Sequence, residues 1–174
     1  MISCTEFIPS YSLLFSWLEE QDGYSAVTDY WAHIRNQPGG ALANYVKQYG
    51  LFGCFKYWTH TLNEEAADFV MDLYLNEDGT GEFTLNMRYC PSKGRLLEYG
   101  HFVPYHDYCA HCAALYPPRL AEFGIRADID ESRVDQAACR ESYFMDTPPD
   151  PAVAAAGWAA AQETLAKLNA EAAE

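Results

Sequence analysis

The stretch YHDYCAHCAALY, residues 105–116, sets two histidines and two cysteines within seven positions. His106, Cys109, His111 and Cys112 are all metal-ligand types, and the two thiols are nucleophile types as well. If the stretch is a helix, residues three or four apart share a face, which groups His106, Cys109 and Cys112. His111 then points about 100° away from Cys112. One helix cannot close a tetrahedral site for zinc or another divalent metal, so further donors are needed. Cys90, at the end of one expected strand, and Cys139, within another, are the natural ones. The metal set offered by the sequence is therefore Cys90, His106, Cys109, Cys112 and Cys139.

The same residues permit thiol chemistry. Cys109 falls near the expected helix start after Pro104, where the helix dipole favours a thiolate. His106 or His111 would take its proton, giving a catalytic set of Cys109, His106 and His111. CAHC also has the CxxC spacing of disulfide exchange, although the strand-to-helix setting of thioredoxin-like proteins does not precede it. The plain alternative is that small thiols fill a helix–sheet interface while the histidines bond locally.

Two further clusters carry polar chemistry. In WTHTLNEEAADF, His60 and Glu64, both candidates for binding substrate, stand beside Asn63, Glu65 and Asp68, a grouping suited to acid–base work, to carboxylate metal ligation or to helix capping. In CPSKGRLLEYGH, Ser92, Lys93 and Gly94 open an expected helix where an anion could bind. Lys93, Arg95 and Arg140 are cations in a very acidic chain, and each is a candidate for holding a substrate carboxylate.

The chain of 174 residues has 11 Lys plus Arg against 25 Asp plus Glu, a formal charge of −14. That balance argues against nucleic acid and against anionic membrane surfaces. Residues 1–20 show no basic segment followed by an apolar run, and no stretch approaches the roughly 20 apolar residues of a membrane span. The expectation is a cytoplasmic protein whose six cysteines are reduced.

The elements that must position these residues are legible as patterns. Up to about residue 60 the spacing is helical, with Phe7, Tyr11, Leu14, Phe15 and Leu18 on one stripe and Val27, Tyr30, Trp31 and Ile34 on the next. Breaks fall at Gly23, Gln37–Gly40 and Gly50. From Asp68 the period becomes two: Phe69, Met71, Leu73 and Leu75, then Phe83, Leu85 and Met87, flank an Asp78-Gly79 turn and predict a β-hairpin. IRADIDES and DQAACRESYF predict two more strands of the same sheet. Pro117 and Pro118 are expected to split the Cys/His helix into two pieces. TPPDP then leads to an Ala-rich helix with a thin stripe of Val153, Trp158, Leu165 and Leu168. Such a helix docks on its own domain, pairs with another subunit as a homo-oligomer contact, or frays. The fold expected is α+β. A helical N-terminal part packs on an antiparallel sheet of about four strands, and the Cys/His helix lies between the two hairpins. Residues 1–146 make the domain, and 147–174 the linker and Ala-rich helix.

The succession of a helical N-terminus, EEAADF before a strand, CPSKGRLLE, HDYCAHCAALYPPRLAEFGI and a final ACR strand resembles the family of L-2-amino-thiazoline-4-carboxylic acid hydrolases. The resemblance covers roughly residues 5–145. It implies a hydrolytic opening of a small carboxylate-bearing cyclic amidine to N-carbamoyl-cysteine. Cys109 or a metal-bound hydroxide would attack, His106 or His111 would move protons, and Arg140, Arg95 or Lys93 would hold the carboxylate. The alternative from a different class is a non-catalytic metal- or small-ligand-binding sensor module.

Overall fold

The structure, a computed structural model, describes residues 4–62, 67–101 and 103–172. Four helices come first: α1 (Cys4–Asp22), α2 (Tyr24–Arg35), α3 (Ala41–Tyr49) and α4 (Leu51–Leu62). Gly23 and Gly50 punctuate them as expected, and at Gly50 the chain turns through φ 56° while its N–H closes α3 onto Val46 O at 2.8 Å.

A hairpin follows, β1 (Asp68–Leu75) and β2 (Gly81–Tyr89), then α5 (Pro91–Glu98), α6 (Ala110–Ala121), β3 (Ile125–Asp130), a short 3-10 turn (Val134–Gln136) and β4 (Cys139–Met145). The four strands form one antiparallel sheet in the order β1-β2-β4-β3. Period-two alternation decides what faces inward. Phe83, Leu85 and Met87 of β2 stand opposite Tyr143, Glu141 and Cys139 of β4. All of these are on the covered face. The other face carries Asp72, Glu82, Asn86, Arg140 and Arg126, together with the exposed Val70 and Tyr74.

Two buried clusters fill the space above the covered face. One joins α3, α4 and α6 to the sheet through Val46, Leu51, Trp58, Leu120, Phe83 and Tyr143. The other joins α1 and α2 to the segment before α6 through Phe15, Val27, Trp31, Leu96, Tyr105 and Tyr108. The site described below lies where these clusters meet.

Two details of α6 differ from the sequence expectation. Pro117 and Pro118 lie inside one continuous helix and do not split it. A proline at 118 leaves the carbonyl of Ala114 without its helical donor, and Arg35 Nη1 of α2 supplies one at 2.9 Å. The helix also starts late, at Ala110, because the preceding turn is tied to α1 and α2. The buried Ser12 hydroxyl accepts the Tyr105 N–H at 2.8 Å, and Tyr24 donates its hydroxyl to Asp107 at 2.6 Å.

The Ala-rich helix α7 (Pro151–Glu171) starts with Asp150 capping the Ala152 N–H at 2.8 Å. It packs on α3 and α4 of its own domain. Ala154 and Gly157 are its buried positions, and a Cβ at Gly157 would lie 2.4 Å from Tyr49 O. Farther along, Leu165 and Leu168 are exposed. Among the described residues no helix is long and apolar enough to cross a membrane.

Candidate functional site

A cavity of about 140 Å³ opens between α4, α5, α6 and the covered sheet face. Its polar lining is concentrated in Cys90, Lys93, Cys109, His111, Cys112, Glu131, Cys139 and Glu141, and its apolar walls include Trp58, Leu85, Met87 and Ile129. The four cysteines arrive by separate routes. Cys90 is the N-cap of α5, where its N–H donates to Ala137 O at 2.6 Å and its sulfur accepts the Lys93 N–H at 3.5 Å. Cys109 caps α6, Cys112 lies one turn on, and Cys139 opens β4 opposite Met87. The expectation that Cys90 and Cys139 approach the Cys/His helix is met in this shared lining.

The histidines exchange the positions expected of them. His106 precedes the helix, so helical spacing does not apply to it. It is 68% exposed, bonded to Glu19 at 2.9 Å on the α1 side, and does not line the cavity. His111 is the one that lines it. Its Nδ1 lies against the carbonyl oxygen of Tyr108, which can only accept. Nδ1 therefore carries the proton in the neutral ring and Nε2 is bare, 3.5 Å from Cys112 Sγ. Burial holds the His111 pKa below its ordinary value, so the ring is neutral at pH 7.

The thiols are not activated at rest. Burial pushes Cys109 up to about 11, outweighing the attraction of Lys93, so it is not the dipole-stabilised thiolate expected at a helix start. Cys112 is raised further, by burial first and then by the charges of Glu141 and the other thiols. Cys90 and Cys139 are raised for the same leading reason.

Glu141 is the residue that the motif reading missed. It is 5% exposed in the middle of β4, flanked by Leu85 and Ile129. Its carboxylate accepts the Tyr143 hydroxyl. Burial lifts its pKa to about 7, against the lowering effect of that bond. The signal was present in ACRESYF: Cys139, Glu141, Tyr143 and Met145 are in phase, so an acid sits on the apolar face. Glu131, at the end of β3, is a second carboxyl on the cavity and is also raised by burial.

Of the expected carboxylate-holding cations, Lys93 alone lines the cavity. Arg95 remains on α5 with Nη1 bonded to Pro91 O at 3.1 Å. Arg140 is in phase with the open sheet face, beside Asp72, Glu82 and Asn86. His60 is exposed on α4 and away from the cavity lining. Glu64, with Asn63 and Glu65, lies outside the described residues.

Soft thiols and an imidazole are suitable donors for zinc. Yet among the described residues no group of three or more His, Cys, Asp or Glu side chains is arranged to hold a metal ion. The lining combines a Cys–His contact, a protonatable carboxyl and one cation around a small, partly open cavity. No protein-family model, curated protein or solved structure matches the chain.

Proposed function

We propose that the cavity is the active site of a small-molecule hydrolase that opens a carboxylate-bearing cyclic amidine such as a 2-aminothiazoline. The observation that carries this reading is the Cys112 Sγ–His111 Nε2 contact of 3.5 Å inside a cavity shared with Glu141. The volume of about 140 Å³ suits a single five- or six-membered ring, since a cavity of about 150 Å³ holds benzene. Lys93 pairs with the carboxylate and orients the ring.

In the first step His111 Nε2 takes the Cys112 proton as Sγ attacks the amidine carbon. The tetrahedral adduct collapses with cleavage of the ring C–S bond, and the departing sulfur receives the Glu141 proton. In the second step His111 passes its proton to the ring-derived nitrogen, and water then attacks the carbon held on Cys112 as His111 takes one of its protons. The C–S bond to Cys112 breaks, the sulfur takes that proton from His111, and the remaining hydroxyl proton returns to Glu141 as the carbamoylated amine is released. A neutral imidazole and a protonated carboxyl are needed together, and the opposite pKa shifts of His111 and Glu141 favour that state near neutrality.

Thiol release from 2-aminothiazoline-4-carboxylate tests the proposal. Wild-type protein is expected to turn over, while Cys112→Ser and His111→Ala lose about 10²–10⁴-fold, the usual weight of a positioned acid–base group. Turnover by Cys112→Ser at the wild-type rate contradicts it.

Among the described residues, four cysteines line one cavity without being arranged around a metal position, and the second reading is a module that gathers them on zinc, or binds a small ligand, without turnover. Elemental analysis of the purified chain separates the two. Stoichiometric metal lost in Cys90→Ser and Cys139→Ser supports the module, and metal-free protein that turns over supports the hydrolase.

A further inference from the structure

The reaction above uses one of four cavity thiols, and the CxxC spacing of CAHC is unexplained by it. We propose that Cys109 and Cys112 form a reversible disulfide across the first turn of α6, and that closing it removes Cys112 from His111. The second half of this proposal rests on the hydrolase reading; the first does not.

Backbone geometry brings the pair together. The Cys112 N–H donates to Cys109 O at 3.0 Å, so the two residues span a single helical turn. Residues so placed have Cα atoms about 5 Å apart, inside the roughly 4.4–6.8 Å that disulfides require. Both side chains face the same cavity, and Cys109 makes no capping hydrogen bond through its sulfur. Cys90 and Cys139 lack this register, since Cys139 stands opposite Met87 while the Cys90 N–H is bonded to Ala137 O.

The chemistry needs a two-electron oxidant, and a peroxide is the class that fits a narrow chamber. Cys109 sulfur attacks one peroxide oxygen and loses its proton. The O–O bond breaks, water leaves, and a sulfenic acid remains. Cys112 sulfur then attacks the Cys109 sulfur, the S–S bond forms, and the sulfenic oxygen leaves as a second water. Two thiols have lost two electrons and two protons, and hydrogen peroxide has become two waters. Cys109 suits the first role because it is less buried than Cys112 and caps the start of α6 in the lining it shares with Lys93, whose charge favours its thiolate. Burial disfavours both thiolates, so the reduced pair gains none of the thiolate stabilisation that makes a disulfide strongly oxidising. The closed form is accordingly stable once made.

The test is peptide mapping of the full chain after graded hydrogen peroxide, with alkylation of the remaining thiols and no reductant. The expected product is a peptide carrying Cys109 and Cys112 that is two hydrogens lighter, unalkylated, and returned to the dithiol by dithiothreitol. Cys109→Ser should give no such peptide. A wild-type chain in which both thiols stay alkylatable, or in which Cys90 and Cys139 pair instead, overturns the proposal. Mapping requires no turnover, so the two readings fail separately. A disulfide in a chain that never hydrolyses the aminothiazoline sinks the hydrolase alone, and turnover in a chain that forms none sinks the disulfide alone.

Discussion

Glu141 is an acid placed where β-sheet alternation demands an apolar residue, and its titration should be visible in stability. Its folded pKa of about 7 is above the ordinary carboxylate value near 4.3. The folded state therefore holds this proton where the unfolded chain has released it. The contribution is complete below the unfolded value and is lost as pH rises from about 4.3 through about 7. Full ionisation costs about 4 kcal/mol by that difference. Glu141→Gln should thus be more stable than wild type at pH 8, by up to about that amount, with the gap closing towards pH 4 in parallel denaturation curves. It should also be inactive. A gap that does not change with pH contradicts the assignment of this proton. Lys93 yields a second residue-scale expectation. Loss of a charge-assisted bond to substrate is worth about 1.5–3 kcal/mol, so Lys93→Ala should raise KM roughly tenfold or more in thiol-release kinetics. Arg140→Ala, on the open face of the sheet, should leave KM unchanged.

At the scale of elements, α6 is kept whole by a contact outside itself. Arg35 supplies the donor that Pro118 cannot, and Arg35→Ala should lower stability by about 1–3 kcal/mol because it leaves a carbonyl unpaired. Circular dichroism and urea titration would measure this, and an unchanged midpoint would show that water serves as well. The fit of α7 depends on Gly157, where any Cβ meets the Tyr49 carbonyl at 2.4 Å. Gly157→Ala should cost about 1–3 kcal/mol by overpacking and should raise hydrogen exchange along α7 before it does so in the sheet. Uniform exchange across the chain would contradict this docking. The element order, the two hairpins and the helix breaks at Gly23 and Gly50 were legible in the sequence, since hydrophobic period and turn residues encode them locally. The start of α6 was not. Its preceding turn is fixed by Ser12 and Tyr24, 93 and 83 residues away, and local spacing carries no trace of such ties. That one displacement explains why His106 faces Glu19 and His111 faces the thiols.

For the molecule as a whole, the sheet and two helical clusters bring side chains from α4, α5, α6, β3 and β4 to one small chamber. Sequence spacing anticipated the meeting of Cys90 and Cys139 with the Cys/His helix because each marks a strand end or strand start on the same side of the sheet. It passed over Glu141 because a lone acid between Arg140 and Ser142 is unremarkable until its phase with Tyr143 and Met145 is counted. The central claim is that Cys112 is the group to which substrate carbon becomes attached. It is tested most directly by mixing the protein with 2-aminothiazoline-4-carboxylate, quenching in acid, and mapping the adduct by peptide mass spectrometry. Added mass is expected on Cys112, absent in Cys112→Ser and strongly reduced in His111→Ala, which lacks the base for the first step. Turnover with no adduct on any thiol, or an adduct on Cys109 with Cys112 unmodified, would contradict it.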